Sequence, residues 1–389
     1  MAETEELSED IIVNILTRLP VKSLIRFTSV SKRLHSIILS DPKFALSQLK
    51  AARQQKTLSR SRLLVSTETL PLESLHLGDT ASFGEPSSVR KLSFPFQPQP
   101  GGSVKLLGSC NGLVFVAVDN KSLYIWNPSI GFLKQLPDPG FPFADNVLPY
   151  YAVGYLSATD DYKVLVASCD FWSGEIEVKM FSSRTHIWQR IESPCRSDFR
   201  LFRGQGTLSN DAFHWLSYRD DDEEEEHAIV SFDLQEEVFQ RMPLPNFDHD
   251  GKTYTSLGVC GGCLCVSRYP KGAWDSIDLW VMREYGVNGS WIMLFSLKLS
   301  DPPELPSVSR QFLGVESSTF AASWTDEGSE LIRIDHKEDD KLGRYMLKYR
   351  YRISMIEYEE SLLWISGYHP VEEKEQVQIL ETHQKASGS

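Results

Sequence analysis

Several absences narrow the reading of this chain before any motif is considered. Its 389 residues hold six cysteines, Cys110, Cys169, Cys195, Cys260, Cys263 and Cys265. They are too few and too unevenly spaced for a disulfide framework. No apolar leader opens the sequence, and no run of about 18 apolar residues is long enough to cross a bilayer. Positive charge is scarce: 40 Lys and Arg stand against 53 Asp and Glu, a net charge of −13. The run Asp220 to Glu226 supplies seven of the negatives. Without a broad basic surface, nucleic acid and anionic membrane are poor candidates for the main ligand. There is no P-loop, dinucleotide fingerprint, nucleophile elbow or His-Glu-x-x-His helix. The expectation is a reduced, intracellular protein of the cytoplasm or nucleus that needs no cofactor or metal.

Three polar clusters remain, and each has a bland reading. Cys260-Gly261-Gly262-Cys263 has the spacing of a zinc or redox pair, but no second Cys or His pair lies at zinc spacing. A two-residue Gly-Gly turn instead puts Cys260 and Cys263 across a hairpin, as buried strand cysteines. Asp248-His249-Asp250 reads as an exposed loop. The acidic run 220–226 reads as a solvated, disordered loop.

What is present falls into two textures. From Leu7 to Leu19 apolar residues recur at 7, 11, 12, 15, 16 and 19, an amphipathic helical spacing. Ser8 is a good N-cap residue, Glu9 and Asp10 follow it, and Pro20 ends the helix. Leu24, Phe27 and Val30 form a second stripe. Leu34, Ile37 and Ile38 form a third after Ser31. Asp41-Pro42 opens a fourth helix through Phe44, Leu46 and Leu49. Units this small bury little surface, yet this one carries about a dozen large aliphatic residues. Some must face the rest of the chain or a partner.

From Leu63 onward short apolar or alternating runs are bounded by Gly, Pro, Asn or Asp, which predicts strands. They repeat. Trp126, Phe181, Phe232 and Trp280 each end a strand and lie 55, 51 and 48 residues apart. Leu133, Trp188 and Phe239 follow the first three by seven residues, and Trp291 follows the fourth by eleven. Gly-led hairpins precede the anchors, with turns at Asn111-Gly112, Asn210-Asp211 and Gly261-Gly262. A fifth unit is centred on Ile334. A period of roughly 50 residues with several short strands per unit predicts a β-propeller.

The helical segment resembles an F-box, through Leu7, Asp10-Ile11-Ile12, Ile15-Leu16, Arg18-Leu19-Pro20, Lys22-Ser23-Leu24, Arg26-Phe27, Val30-Ser31-Lys32, Ile37 and Pro42-Lys43-Phe44. Ser8, Ser31 and Leu34 stand where that family usually has Pro, Cys and Trp. The β region resembles the F-box-associated domain of plant F-box proteins, through Gly108 to Leu113, Trp126-Asn127-Pro128, Gly154-Tyr155, Asp160 to Val164, Trp188 to Ile191, His214-Trp215, Ser231 to Leu234 and Trp280 to Val287. The resemblance implies a mainly β chain with an N-terminal α module. Its parts are an acidic tail 1–6, an F-box 7–45, a linker helix 46–62, a propeller-like domain 63–370 of about six or seven blades, and a polar tail 371–389. It further implies a non-catalytic target-recognition subunit of a Skp–cullin–F-box ubiquitin ligase. In that reading Leu7, Ile11, Ile15, Leu16, Leu19, Pro20, Leu24, Val30 and Leu34 meet a Skp-type adaptor, which brings in the cullin. The β domain captures a protein target, and residues after Asp41 bridge the two modules as a semi-rigid helix. The competing readings are a propeller hydrolase, which would need carboxylates or His converging on the channel, and an F-box protein working outside a ligase.

Overall fold

A computed structural model describes residues 8–55, 61–67, 72–77, 83–85, 88–92, 95, 104–119, 122–141, 150–169, 176–192, 200–201, 205–221, 224–242, 244–245, 252–270, 276–298, 311–315, 318–325, 328–335, 342–347 and 353–365. Leu7, the tail 371–389 and Asp248-His249-Asp250 lie outside these residues.

Four helices come first: α1 Glu9–Thr17, α2 Val21–Phe27, α3 Lys32–Ser40 and α4 Pro42–Gln54. Their boundaries follow from local chemistry. Glu9 and Asp10 fill the first turn of α1, although Ser8 makes no side-chain cap bond. Pro20 ends that segment and stands at the N-cap of α2. The Ser31 hydroxyl accepts from the Leu34 N–H at 3.1 Å and caps α3. The Asp41 carboxylate accepts from the Lys43 N–H at 2.9 Å, with Pro42 in the first turn of α4. Helices α1 and α3 both pack on α4.

Among the described residues six antiparallel sheets follow, written here as blades from the innermost strand outward. Blade one is Ile353–Glu359, Ser61–Thr67, Leu72–His76 and Val89–Leu92. Blade two is Val104–Cys110, Leu113–Val118, Ser122–Asn127 and Phe132–Gln135. Blade three is Tyr150–Leu156, Asp161–Cys169, Ile176–Ser182 and Ile187–Ile191. Blade four has a divided inner strand, Arg200–Leu201 and Thr207–Ser209, then Ala212–Asp221, Glu224–Asp233 and Phe239–Met242. Blade five is Lys252–Cys260, Cys263–Pro270, Ser276–Met282 and Trp291–Lys298. Blade six is Gln311–Val315, Ser318–Thr325, Gly328–Asp335 and Leu342–Leu347. The six inner strands neighbour one another in a closed ring, which makes the domain a β-propeller.

The sequence period maps onto this ring. Trp126, Phe181, Phe232, Trp280 and Ile334 all lie on the third strand of their blades. The seven-residue companions sit directly opposite on the fourth strand: Trp126 faces Leu133, Phe181 faces Trp188 and Phe232 faces Phe239. Blade five departs. Its third and fourth strands are joined by a longer turn, from Met282 paired with Trp291, so Trp280 lies opposite Met293, and the register shifts between Leu279 and Trp280. The tight turns require left-handed backbone, with φ of 54° and 79° at Asn111-Gly112 and 57° and 79° at Gly261-Gly262. Gly112 is needed twice over, because a side chain there would strike Ser361 and the Glu359 carbonyl.

Two clusters settle differently. Cys260 and Cys263 are cross-strand partners, Cys260 and Cys265 are buried, and burial raises both of those thiols. The described part of the acidic run is strand, with Asp220 paired with Glu225 and Asp221 with Glu224. The apolar ladder from Phe213 to Leu216 against Ile229 to Phe232 sets the register, and the pairing continues outward past it.

Blade one is closed by both ends of the propeller. Ser61 to Thr67 pairs with Glu359 to Ile353 over seven residues. Buried Arg62 donates to the Ser74 hydroxyl at 2.5 Å and the Ser74 carbonyl at 2.8 Å. The Ser74 hydroxyl meets Tyr358 at 2.8 Å, tying the second, third and closing strands together.

Two outcomes are expected. Phe232 is fully buried, and Phe232→Ala should cost about 3–5 kcal/mol by equilibrium denaturation. Phe181→Ala, at the equivalent place, should cost a similar amount. The second concerns His214, which lies between the Thr207 carbonyl at 3.2 Å and the Tyr285 hydroxyl at 2.8 Å. Burial lowers its pKa from 6.5 to about 4. The unfolded imidazole thus binds a proton at a pH where the folded one does not. Its contribution is full above about pH 6.5 and is lost as pH falls toward 4, up to about 3 kcal/mol. Denaturation midpoints across that window should fall more steeply for the wild type than for His214→Asn.

Candidate functional site

The helical unit leaves several large apolar side chains open to water. Ile11 and Ile15, one turn apart on α1, are 48% and 50% exposed, and Val30 is 67% exposed. Phe27, at the end of α2 and three residues before Val30, is also exposed and was absent from the nine adaptor residues read from the sequence. Its place in the stripe Leu24, Phe27, Val30 was the signal for it. Leu19, Pro20 and Leu34 are partly buried. Leu16 and Leu24, at 5% and 0% exposure, lie inside the chain. Helical spacing shows which residues share a face. It does not show which of two apolar faces turns inward.

Behind this face, one continuous apolar core runs from the helices into the propeller. Leu16, Leu24, Ile38, Phe44, Ala45 and Leu49 share it with Leu113 and Phe115 of blade two, Tyr162 and Val164 of blade three, and Leu362, Leu363 and Ile365 beyond the closing strand. Buried Gln48 of α4 donates to the Leu19 carbonyl at 3.0 Å and so fixes the end of α1 on α4.

Polar contacts set the orientation. The Arg53 guanidinium, at the end of α4, ion-pairs with Glu359 of the closing strand. It also donates to Asn111 Oδ1 at 2.8 Å in the first turn of blade two. Asn111 Nδ2 donates in turn to the Tyr162 hydroxyl of blade three at 3.2 Å. One arginine thus ties α4 to blades one and two. Asn127 fastens the returning chain: its Nδ2 donates to the Ser361 and Leu363 carbonyls at 3.1 and 2.9 Å. That is what the Trp126-Asn127-Pro128 segment does here. Within Asp160 to Val164, Asp161 accepts from Ser182 Oγ at 2.6 Å, Ser183 Oγ at 3.0 Å and the Arg184 N–H at 3.0 Å. Burial alone would raise its pKa. These hydrogen bonds and Lys163 outweigh burial and hold it below the usual carboxylate value.

In blades two to five the turn between the first and second strands and that between the third and fourth share one face of the ring. The turn between the second and third strands lies on the other. Arg53 meets the first face through Asn111 and Glu359. The acidic hairpin end at Asp221 and Glu224 is a second-to-third-strand turn, so it projects from the opposite face. Among the described residues, no group of three or more His, Cys, Asp and Glu is placed to hold a metal.

A four-helix head seated on a propeller defines a two-module binding protein. The comparisons make the class specific. The F-box domain profile matches residues 5–46, and that of the F-box associated beta propeller domain matches residues 75–365. F-box protein CPR1 of Arabidopsis thaliana is 30% identical over 316 residues, 74% of this chain and 72% of that protein. An F-box/kelch-repeat protein of the same plant is 29% identical over 309 residues, 76% and 81% of the two chains. Another Arabidopsis F-box protein is 26% identical over 386 residues, 92% and 86%. The chain belongs to the F-box proteins that carry an F-box associated β-propeller domain.

The inside and outside of the helical head should separate in stability. Leu24→Ala should cost about 2–5 kcal/mol in urea denaturation. Ile15→Ser, on the exposed face, should stay within about 0.5 kcal/mol of the wild type.

Proposed function

We propose that this chain is the target-recognition subunit of a Skp–cullin–F-box ubiquitin ligase, working in the cytoplasm or nucleus without catalysing a reaction itself. The observation that carries the reading is the exposed face of Ile11, Ile15, Phe27 and Val30 on a helical unit of the F-box family. These side chains stay in water although the head shares a continuous apolar core with the propeller. Fully burying one such residue against a partner is worth about 1.5–3 kcal/mol, so a Skp-type adaptor covering all four gains enough to hold the complex. Leu16 and Leu24 support that face from behind. The propeller, which binding proteins use as a scaffold for loops, captures the target protein, and the adaptor supplies the cullin.

The experiment is a pull-down of the full-length chain with a purified Skp-type adaptor. Replacing Ile11, Ile15 and Val30 together by Asp should abolish capture while the propeller's denaturation midpoint stays unchanged. Undiminished capture by that variant would refute the proposal.

A further inference from the structure

Blade five carries three thiols on one hairpin, and two of them face each other across its turn. Cys260 ends the inner strand and Cys263 opens the next, with only Gly261 and Gly262 between them. Both glycines have left-handed backbone, φ 57° and 79°, as a two-residue type I′ turn requires. Such a turn leaves its flanking residues as a hydrogen-bonded cross-strand pair, and Cys260 and Cys263 are partners in that register. The pairing holds their Cα atoms about 5.5 Å apart and turns both side chains to the same side of the sheet. Disulfides most often have a Cα separation of about 5.5–6 Å. Both side chains pack in one small apolar cluster with Leu279 and Val281 of the third strand.

The corresponding turns elsewhere lack a second thiol. Cys110 and Leu113 flank Asn111-Gly112 in blade two, and Ser209 and Ala212 flank Asn210-Asp211 in blade four. The third thiol of blade five does not compete. Cys265 is 2% exposed and lies opposite Gly258. It stands two residues along the strand from Cys263, about 6.6 Å, and on the diagonal from Cys260, about 7–8 Å. A disulfide needs Cβ atoms about 4 Å apart.

Access divides the two partners. The sequence predicts both as buried, and Cys260 is 7% exposed, but Cys263 is partly exposed. The turn beside it is open, with nothing within 4 Å of where a side chain on Gly261 or Gly262 would stand. Burial, with Cys263 adding to it, raises the pKa of Cys260 and keeps it a thiol until its partner has reacted.

We propose that Cys260 and Cys263 form a reversible disulfide site whose oxidant is a peroxide. The Cys263 thiolate attacks the O–O bond of hydrogen peroxide. One oxygen stays on the sulfur as a sulfenic acid, and the other leaves and is protonated to water. The Cys260 sulfur then attacks the Cys263 sulfur. The S–S bond forms, the S–O bond breaks, and the Cys260 proton leaves with the hydroxyl as a second water. Two thiols have lost two electrons, and the peroxide has gained them. A dithiol reverses the step by thiol–disulfide exchange. The two glycines let the turn adjust as the bond forms. The site stands on the hairpin geometry and is independent of the receptor function proposed above.

The test uses the full-length chain, reduced, freed of reductant and titrated with hydrogen peroxide. Remaining thiols are alkylated with iodoacetamide in denaturant and counted by mass in the tryptic peptide Thr253 to Arg268, which holds all three cysteines. The reduced chain takes up three alkyl groups. The oxidised chain should take up one and be lighter by two hydrogen atoms, and dithiothreitol should restore three. Cys265→Ala should pass from two alkyl groups to none. Cys263→Ser should keep both of its remaining thiols at the same peroxide dose. Cys260→Ser should instead accumulate a sulfenic acid at Cys263, trapped by dimedone. A wild type that keeps three alkylatable thiols, or that gains oxygen without losing a pair, overturns the site. So does a Cys263→Ser chain that still loses two thiols. The wild-type measurement decides the matter even where a variant fails to fold.

Discussion

The pairing of Ser61–Thr67 with Ile353–Glu359 is the constraint on which the remaining structure depends. Five blades are each formed from one stretch of sequence. Blade one is assembled from both ends of the propeller, and until it forms, the ring has two open edges. Edge strands expose unpaired N–H and C=O groups, and a closed ring leaves its innermost strands only as short edges sheltered around the channel. The distance between the two strands in sequence is a modest obstacle, since each doubling of a loop costs only about 0.6 kcal/mol. The closure gains a seven-residue ladder and a buried Arg62 whose hydrogen bonds reach both the third strand and, through Ser74, Tyr358.

The closing strand is also the seat of the helical head. It ends at Glu359, which holds Arg53 of α4, and the chain after it runs through Ser361 to Ile365 into the core that α4 shares. Arg53 is half exposed, so water screens its ion pair and its energy is small. Its value is geometric, because one guanidinium fixes α4 against Glu359 and Asn111 together. The apolar core of Phe44, Ala45 and Leu49 supplies the adhesion. A propeller that failed to close would therefore also lose the position of its head.

Much of this was legible in the sequence because a blade is a local object. Trp126, Phe181, Phe232, Trp280 and Ile334 recur on third strands, so one period runs through these blades. Asn111-Gly112 and Gly261-Gly262 announced their turns through left-handed backbone. Blade one was hidden for the converse reason: its inner strand is separated from the others by the whole domain, and no period can connect them. In blade five the companion lies eleven residues on, because the turn from Met282 to Trp291 is longer, and Met293 rather than Trp291 stands opposite Trp280. The acidic run failed because composition reports what side chains prefer, whereas the neighbouring apolar ladder decides where pairing stops.

The helical head shows the same limit at the functional surface. Its apolar residues are divided between two tasks with opposite requirements. Leu16 and Leu24 must be covered by the chain itself, while Ile11 and Ile15 must stay uncovered. Both sets obey one helical period, so the period cannot separate them. The division is made by α4, which packs on α1 and α3 and takes Leu16 inward, and by Gln48, whose bond to the Leu19 carbonyl fixes how α1 lies on it. The exposed set remains small and is bordered by charge, with Glu9 and Arg33 paired at 3.0 Å on the same head. A few isolated apolar side chains in such a border are tolerated in water, whereas a broad apolar patch invites association. The head can therefore keep Ile11 and Ile15 in water because the propeller and α4 have already covered the other apolar residues.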